Sequence, residues 1–246
     1  MTLAVVAALH DELRSLLAHL ESPRVEMRGG RTLHLGRLAG QDVVLVLSGI
    51  GKVAAAATAA LLIDRYGVRS ILFTGVAGGL APDVGVGDVV VADALLQHDL
   101  DASPLFPRWE VPLTGRSRFA TDPPRSAVLQ SAVDEVLAAS HPALASFGLK
   151  ATRAHRGLIV SGDRFVSSAA ESAALREALP DALAVEMEGA AMAQVCSDFG
   201  CPLTVLRTIS DRADDAAHVD FPRFLREVAA EFSRDIVLTA LAKGLG

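Results

Sequence analysis

Aromatic residues are scarce in this chain of 246 residues: they make up 4% of it, although 51% of the residues are hydrophobic. Alanine, valine and leucine must therefore fill the core, which favours helices packed against a valine-rich sheet. Charged residues are also few, at 21%, and this composition argues against intrinsic disorder. The length fits one α/β domain over residues 1–246.

Basic residues are outnumbered by acidic ones, 23 against 29, which gives a formal net charge of -6. Nucleic-acid binders usually carry a basic face, so no nucleic-acid partner is expected. The longest strongly apolar run, 53–63, is too short to cross a bilayer. The first residues lack a basic leader and are typical of a strand rather than a signal peptide. We therefore expect a cytoplasmic protein without a membrane partner.

Only two cysteines are present, Cys196 and Cys201, beside a predicted helix end. A disulfide, a metal ligand and a nucleophile are all possible, but small buried hydrophobic residues are favoured. The segment 98–101 carries His98, Asp99 and Asp101 without a second ligand cluster at suitable spacing, so no metal is expected. We expect a structural hydrogen-bonding role for this segment near the mouth of a site, and no cofactor.

Strand patterns alternate with helical ones along the chain, which predicts a mixed, mostly parallel sheet covered by helices on both faces. The proline-rich segment 99–124 is predicted to be a long loop. Strands are predicted over 3–9, 70–74, 88–92, 154–160, 182–185 and 202–209, with a hairpin over 31–38 and 42–47 and helices over 11–20, 53–66, 126–139, 169–177, 188–198 and 221–242.

Ligands of such sheets bind beyond the carboxyl ends of strands, which singles out the segments 9–12, 75–79 and 210–214. The glycine-rich segments 48–52 and 75–79 do not fit the phosphate-loop or dinucleotide spacing. We interpret both as tight turns whose backbone N–H groups could approach a ligand. Glu12 is either an ordinary first-turn glutamate or a base, and Asp211 is either a turn or capping residue or an acid.

Glu186 and Glu188 flank Met187 where an apolar strand passes into a helix. A carboxylate is costly to bury there unless it binds something. A helix N-terminus is one ordinary explanation, since it favours negative charge. We favour the alternative that the two glutamates accept the paired hydroxyls of a ribose beside an apolar wall.

Five segments together carry a resemblance: 48–56, 74–82, 157–165, 184–188 and 207–211. In this order they resemble the 5′-methylthioadenosine/S-adenosylhomocysteine nucleosidases of the nucleoside phosphorylase superfamily. The resemblance implies a mixed central sheet that forms a distorted barrel, wrapped by helices, in a homodimer. It also implies an adenine nucleoside as the substrate.

The resemblance implies roles for individual residues. Glu12 would activate water, Asp211 would give a proton to adenine N7, and Glu188 would hold the ribose hydroxyls. The chemistry suits these types, because adenine is a poor leaving anion and water must be oriented on the opposite face of the sugar, as in inverting glycosidases. The remaining implied binding residues are Ile50 and Phe221 at the alkylthio group, Met187 at the sugar, Phe165 and Val166 at adenine, Gly78 and Arg207 near the water, Ser210 beside Asp211, and Val76, Ala77 and Glu186 elsewhere in the pocket.

Two features depart from the family pattern. Val76 stands where many relatives have serine, and the loop 103–112 differs from the familiar form. In the family, the region from Asp99 to Pro112, here with Phe106 and Trp109, covers the site of the partner subunit.

Three alternatives stay open. A purine nucleoside phosphorylase would need arginines for phosphate, and Phe73 stands where such enzymes tend to place one. Hydrolysis of 6-amino-6-deoxyfutalosine is an added possibility. From another class, a catalytically dead nucleoside-binding protein is disfavoured because Glu12, Glu188 and Asp211 are all retained.

Overall fold

The computed structural model describes residues 2–139, 144–145, 147, 149, 152–214 and 224–246. The strands are β1 (Leu3–Ala7), β2 (Glu21–Arg28), β3 (Arg31–Leu38), β4 (Gln41–Leu47), β5 (Ser70–Phe73), β6 (Val76–Gly79), β7 (Val89–Gln97), β8 (Arg118–Ala120), β9 (Ala154–Ser161), β10 (Ala182–Glu186) and β11 (Leu203–Asp211). The helices are α1 (His10–Leu17), α2 (Lys52–Tyr66), α3 (Pro123–Ala138), α4 (Ala169–Ala178), α5 (Gly189–Asp198) and α6 (Ala230–Ala242), the last preceded by a π-helical turn (Leu225–Ala229).

These strands form one mixed sheet in the order β2-β3-β4-β1-β5-β11-β6-β10-β9-β7-β8. Strand β11 also pairs with β7 in antiparallel fashion, which closes β11, β6, β10, β9 and β7 into a five-stranded barrel. The parallel strands β4, β1, β5 and β11 extend from this barrel, and the β2–β3–β4 meander forms the free edge. The predicted α/β class, with a mixed sheet forming a distorted barrel between helices, is confirmed.

Alternate residues of β1 face two different cores, because successive side chains of a strand point to opposite faces. Leu3 and Val5 pack in a core that includes residues of α1, α3 and α6. Ala4 and Val6 pack in a second core with residues of α2 and α5. A strand covered on both faces must be apolar throughout, which explains the continuous hydrophobic runs of the central strands.

The structure differs from the sequence-based expectation at several places. The helix predicted over 11–20 ends at Leu17, because the chain turns into the unpredicted strand β2. The predicted turn at 75–79 contains β6, and the predicted loop 99–124 contains β8. Helix α3 begins earlier than predicted, because Asp122 accepts a hydrogen bond from the Arg125 backbone N–H at 3.0 Å and proline is tolerated in the first turn. The start of the last predicted helix, 221–223, lies outside the described residues.

Within the described ranges, no helix is long and apolar enough to cross a membrane.

Candidate active site

A cavity of about 440 Å³ lies where the loops after β1, β5, β9 and β10 meet the end of β11. It brings together nearly all the residues singled out in the sequence; Phe221 lies outside the described residues. The singled-out residues that line it are Glu12, Ile50, Val76, Ala77, Gly78, Phe165, Val166, Glu186, Met187, Glu188, Arg207, Ser210 and Asp211.

Glu12 is fully buried at the start of α1, directly after β1. Its Oε2 accepts the backbone N–H groups of Ala8 and Leu9 at 3.2 and 3.1 Å, as a glutamate at this position of a helix often does. Its Oε1 has no hydrogen-bond partner in the described part of the chain. Burial raises the pKa of Glu12 to about 7, and the charge of Arg207 and the backbone N–H groups of Leu9, Ala8 and Val76 act in the opposite direction. The side chain is therefore placed to exchange a proton near neutral pH.

Gly75 leaves open the space beside the unpartnered oxygen of Glu12. A Cβ at this position would lie 3.2 Å from Glu12 Oε1 and 3.4 Å from Arg207 Cζ. Any larger residue would fill the gap between the carboxylate and the guanidinium. Glycine at position 75 thus lets its backbone lie close to both the Glu12 carboxylate and the Arg207 guanidinium.

Arg207 is buried and committed to neighbours within the chain. Its Nη2 donates to Glu186 Oε2 at 2.7 Å, and its Nη1 donates to the carbonyls of Phe73 and Leu206 at 3.2 and 2.9 Å. Its Cζ lies 4.1 Å from the centre of the Phe73 ring, a cation–π contact. Phe73, which stands where phosphorylases tend to place an arginine, therefore packs its ring against the guanidinium of Arg207.

Glu186 is engaged by four groups, so its role differs from that of Glu188. Besides Arg207, its carboxylate accepts the Ser161 hydroxyl and the backbone N–H groups of Gly189, at 2.8 Å to Oε2, and Glu188, at 3.3 Å. Because these donors occupy both oxygens, Glu186 holds the N-terminus of α5 and neutralises Arg207. The sequence suggests that both glutamates bind the ribose hydroxyls. Because the carboxylate of Glu186 is already engaged, we retain this hypothesis for Glu188 only.

Glu188 is held by a turn that the sequence predicts as one whose N–H groups could approach a ligand. Its Oε1 accepts the Gly51 backbone N–H at 2.8 Å, and Gly51 adopts φ +94°, a conformation that favours glycine. Burial first, and the negative charge of Glu186 second, raise the pKa of Glu188 to about 7. The Gly51 N–H of this turn thus donates to the carboxylate of Glu188 within the same chain.

Asp211 ends β11 with its carboxylate fixed in position. Oδ2 accepts the Ser210 hydroxyl at 2.8 Å, and Oδ1 accepts the Ala213 backbone N–H at 2.8 Å. A Cβ at Gly78 would lie 3.0 Å from Oδ1, so the glycine makes room for the carboxylate. Asp211 and Glu12 therefore line the same cavity from two different elements.

Three charged residues connect the loops at the mouth of the cavity. Lys52 Nζ lies 2.6 Å from Asp99 Oδ1, Asp163 N donates to Asp99 Oδ2 at 2.8 Å, and Lys52 N donates to Asp163 Oδ1 at 2.7 Å. This ring, the latch, joins the loop after β7, the start of α2 and the loop after β9. Among the described residues no cluster of three possible metal ligands occurs, and Asp99 has the structural role expected for it.

Known proteins match this chain over nearly its whole length. A model of the phosphorylase superfamily matches residues 2–242. The 5′-methylthioadenosine/S-adenosylhomocysteine nucleosidase of Neisseria meningitidis, in complex with methylthio-immucillin-A, is 36% identical, with a TM-score of 0.86 and 98% of each chain covered. That of Streptococcus pneumoniae, with a transition-state inhibitor, is 34% identical at a TM-score of 0.86, covering 98% of this chain and 99% of that one. That of Colwellia psychrerythraea 34H, in complex with adenine, is 33% identical at 0.89, covering 99% and 95%.

This chain belongs to the 5′-methylthioadenosine/S-adenosylhomocysteine nucleosidases of the phosphorylase superfamily. The resemblance read from the sequence is thereby confirmed.

Some site groups of this nucleosidase family member are not singled out as individual residues, although most of them lie in the segments 9–12, 48–52, 75–79 and 157–165. The cavity is also lined by Ala8, Leu9, Gly75, Arg164 and Val185. Ala8, Leu9 and Gly51 contribute only backbone N–H groups, which every residue type other than proline supplies. Ser161, which links Glu186 to the Ala190 N–H, lies four residues before Phe165 and gives no pattern of its own. The positions of these residues next to strand ends are the feature of the sequence that could have indicated them.

Proposed function

We propose that this protein hydrolyses the N-glycosidic bond of 5′-methylthioadenosine and S-adenosylhomocysteine, releasing adenine and a 5-thioribose product. The ligands of its relatives support this substrate class, since one holds methylthio-immucillin-A and another holds adenine. The observation that carries the proposal is the pairing of Glu12 and Asp211 across one cavity.

Asp211 acts as the general acid and Glu12 as the general base. Asp211 donates a proton to adenine N7, which allows the base to leave as a neutral molecule. Glu12 takes a proton from a water molecule beside Gly75 as that water attacks the anomeric carbon. Each such proton transfer contributes roughly 10²–10⁴ in rate. The Ser210 hydroxyl and the Ala213 N–H orient the acid, and the Ala8 and Leu9 N–H groups orient the base.

Glu188 accepts the ribose hydroxyls, with Met187 against the sugar. The Gly51 N–H holds one of its oxygens, which fixes the carboxylate before the substrate arrives. Phe165, 44% exposed at the mouth, stacks on adenine, and the backbone of Val166 meets the edge of the base. Ile50, 60% exposed, contacts the alkylthio group.

Water, and not phosphate, is the nucleophile. A phosphorylase must hold a dianion beside the anomeric carbon with free cations or clustered N–H groups. Here the charge of Arg207 is paired with Glu186 at 2.7 Å, and Glu12 and Glu188, once ionised above their pKa of about 7, add negative charge to the same cavity. That field favours the positive charge that builds up on the sugar and repels phosphate.

The protein acts as a homodimer in which the loop 99–112 of one subunit covers the alkylthio end of the other site. Exposed apolar side chains support this arrangement: Leu105 is 83% exposed, and Ile50 is 60% exposed at the mouth. Trp109, in contrast, folds onto its own subunit, because its indole N–H donates to the His98 carbonyl at 3.1 Å. Leu105 is therefore the apolar residue of this loop that is most available to the partner, whereas Phe106 is partly buried.

Adenine release tests the proposal directly. The purified protein is incubated separately with 5′-methylthioadenosine, S-adenosylhomocysteine, 6-amino-6-deoxyfutalosine and adenosine, with the Asp211→Asn variant as the matched control. We expect free adenine from the two thioether nucleosides at a rate well above that of adenosine. Absence of adenine with both thioether substrates, from protein shown to be folded by circular dichroism, would contradict the proposal.

A further inference from the structure

The two cysteines meet where α5 ends. Gly200 has φ +63°, its N–H donates to the Ser197 carbonyl at 3.3 Å, and the Cys201 N–H donates to the Cys196 carbonyl at 2.8 Å. These two bonds define a Schellman motif, which brings the side chains of its first and last residues into contact. Both of those residues are cysteines here. The backbone thus pairs two thiols that are five positions apart.

One thiol of the pair is shielded and the other is accessible. Cys196 is 2% exposed and belongs to the core between the sheet and helices α2 and α5. Cys201 is only partly buried, and both cysteines are free. The Cys201 thiol donates a weak hydrogen bond to the Pro202 carbonyl at 3.9 Å. This asymmetry is that of an attacking thiol and a resolving thiol.

Arg125, which is ion-paired with Asp122 at 3.6 Å, adds a positive charge to the surroundings of the accessible thiol. The buried Nε of Arg125 has no hydrogen-bond partner in the portion of the chain that the structure describes. The hydrogen bond from Cys196, and then the charge of Arg125, lower the pKa of Cys201, while that same bond and burial raise the pKa of Cys196. The thiolate is the reactive form of cysteine, so Cys201 is the nucleophile of the pair.

We propose that Cys196 and Cys201 form an oxidisable pair that reacts with hydrogen peroxide to give a disulfide within the chain. The Cys201 thiolate attacks one oxygen of the peroxide and breaks the O–O bond. This leaves a sulfenic acid on Cys201 and a hydroxide that takes up a proton to become water. The Cys196 sulfur then displaces the hydroxyl from Cys201, and that hydroxyl leaves with the Cys196 proton as a second water. Two electrons from the two thiols reduce one peroxide.

The pair lies away from the cavity, so its oxidation leaves the site in place. Helix α5 runs from Gly189, next to Glu188, to Asp198, a length of about 15 Å. Strand β11 begins just after Cys201 and reaches the cavity only at its far end, at Asp211. The disulfide joins two residues whose backbones the motif already holds together through the hydrogen bond from the Cys201 N–H to the Cys196 carbonyl.

Thiol titration tests this proposal, because the chain has only two cysteines. The native protein is treated with hydrogen peroxide, its remaining thiols are counted, and the linkage is mapped by mass spectrometry of peptides. We expect both thiols to disappear together into a disulfide within one chain, with an unchanged far-ultraviolet circular dichroism spectrum and full recovery after dithiothreitol. Persistence of both thiols, loss of one alone, or a disulfide between chains would overturn the proposal.

Two single variants separate the roles of the cysteines. In Cys196→Ser, Cys201 should stop at the sulfenic acid, which dimedone labels. In Cys201→Ser, the shielded Cys196 should react with peroxide far more slowly than the wild-type pair does. Equal labelling of the two variants, each checked for folding by circular dichroism, would contradict the assignment of Cys201 as the nucleophile.

Discussion

At the scale of single residues, two carboxylates of one cavity have different hydrogen-bond partners, which is the basis for the opposite tasks that we propose for them. Asp211 is held by a hydroxyl and a backbone N–H at 2.8 Å each, whereas Glu12 keeps one buried oxygen without a partner among the described residues. Neither carboxylate is neutralised by Arg207, because that charge is paired with Glu186. The difference between the two carboxylates arises from neighbours that lie far away in the sequence.

Asp211→Asn should keep the fold and remove most of the activity. Asparagine has the same shape and its amide oxygen can accept one of the two hydrogen bonds, while its NH₂ group can donate to the Ser210 hydroxyl oxygen, but it has no acidic proton to give. We expect kcat for 5′-methylthioadenosine to fall by roughly 10²–10⁴, while substrate binding, measured by calorimetry, stays within a few-fold of the wild-type value. A variant with near wild-type kcat would show that adenine receives its proton elsewhere.

Glu12→Gln should abolish activity and make the stability less dependent on pH. The pKa of Glu12 is about 7 in the folded chain, above the ordinary glutamate value of 4.5, so folding favours the protonated form. The stability that this gives is complete below the unfolded value and is lost as the pH rises through about 7. Glutamine cannot ionise, so the variant should have a free energy of unfolding about 1–3 kcal/mol above that of the wild type near pH 8.

Urea unfolding at two pH values measures this difference. The two proteins should be of nearly equal stability at about pH 4.5, and Glu177→Gln, at an exposed position, should match the wild type at both values. A Glu12→Gln protein that is less stable than the wild type near pH 8 would mean that the ionised carboxylate is well accommodated.

At the scale of structural elements, the sequence was most informative where a strand is buried on both faces. The apolar runs of β1, β5 and β11 predict strands without any knowledge of the neighbouring strands with which they pair. Strand β2 is mostly exposed and polar, and β8 has only three residues, so neither carries a strand pattern. Strand β6 has two glycines among its four residues, and it is extended because β10 and β11, distant in sequence, pair with it.

The candidate site divides in the same way. Its acidic side chains stand at the ends of recognisable strands and could be predicted. The hydrogen bonds that hold those side chains in place could not be predicted. The Gly51 N–H, for example, donates to Glu188 across 137 positions of the chain, and the sequence gives no distance between the two residues.

The latch offers a prediction about this support. Asp163 fixes the Lys52 N–H at 2.7 Å, and the neighbouring Gly51 N–H orients Glu188. Asp163→Ala should therefore lower kcat/KM by roughly 10–100-fold, the scale of one hydrogen bond to a charged group. Asp163→Asn keeps an acceptor oxygen at the same place and serves as the matched control.

A substrate analogue shows whether this effect passes through Glu188. With a 2′,3′-dideoxy analogue, which lacks the hydroxyls that we assign to Glu188, the loss of kcat/KM caused by Asp163→Ala should shrink, because the two changes remove one interaction. An equal penalty with both substrates would assign Asp163 a purely structural role.

At the scale of the whole molecule, the apolar loop at the mouth predicts association. We expect sedimentation to show a homodimer, and Leu105→Asp to weaken it and to raise KM for 5′-methylthioadenosine. Met27→Asp, on the edge strand β2, is a matched control because Met27 is 77% exposed and Leu105 is 83% exposed. A wild-type monomer with full activity would contradict the dimer.

The central claim concerns the nucleophile, and the identity of the sugar product tests it most directly. The wild-type protein is given 5′-methylthioadenosine with and without phosphate, and the products are separated and identified by mass spectrometry. The paired charge of Arg207 and the open oxygen of Glu12 predict free 5-methylthioribose at the same rate in both samples. Turnover that requires phosphate and yields 5-methylthioribose 1-phosphate would contradict the account.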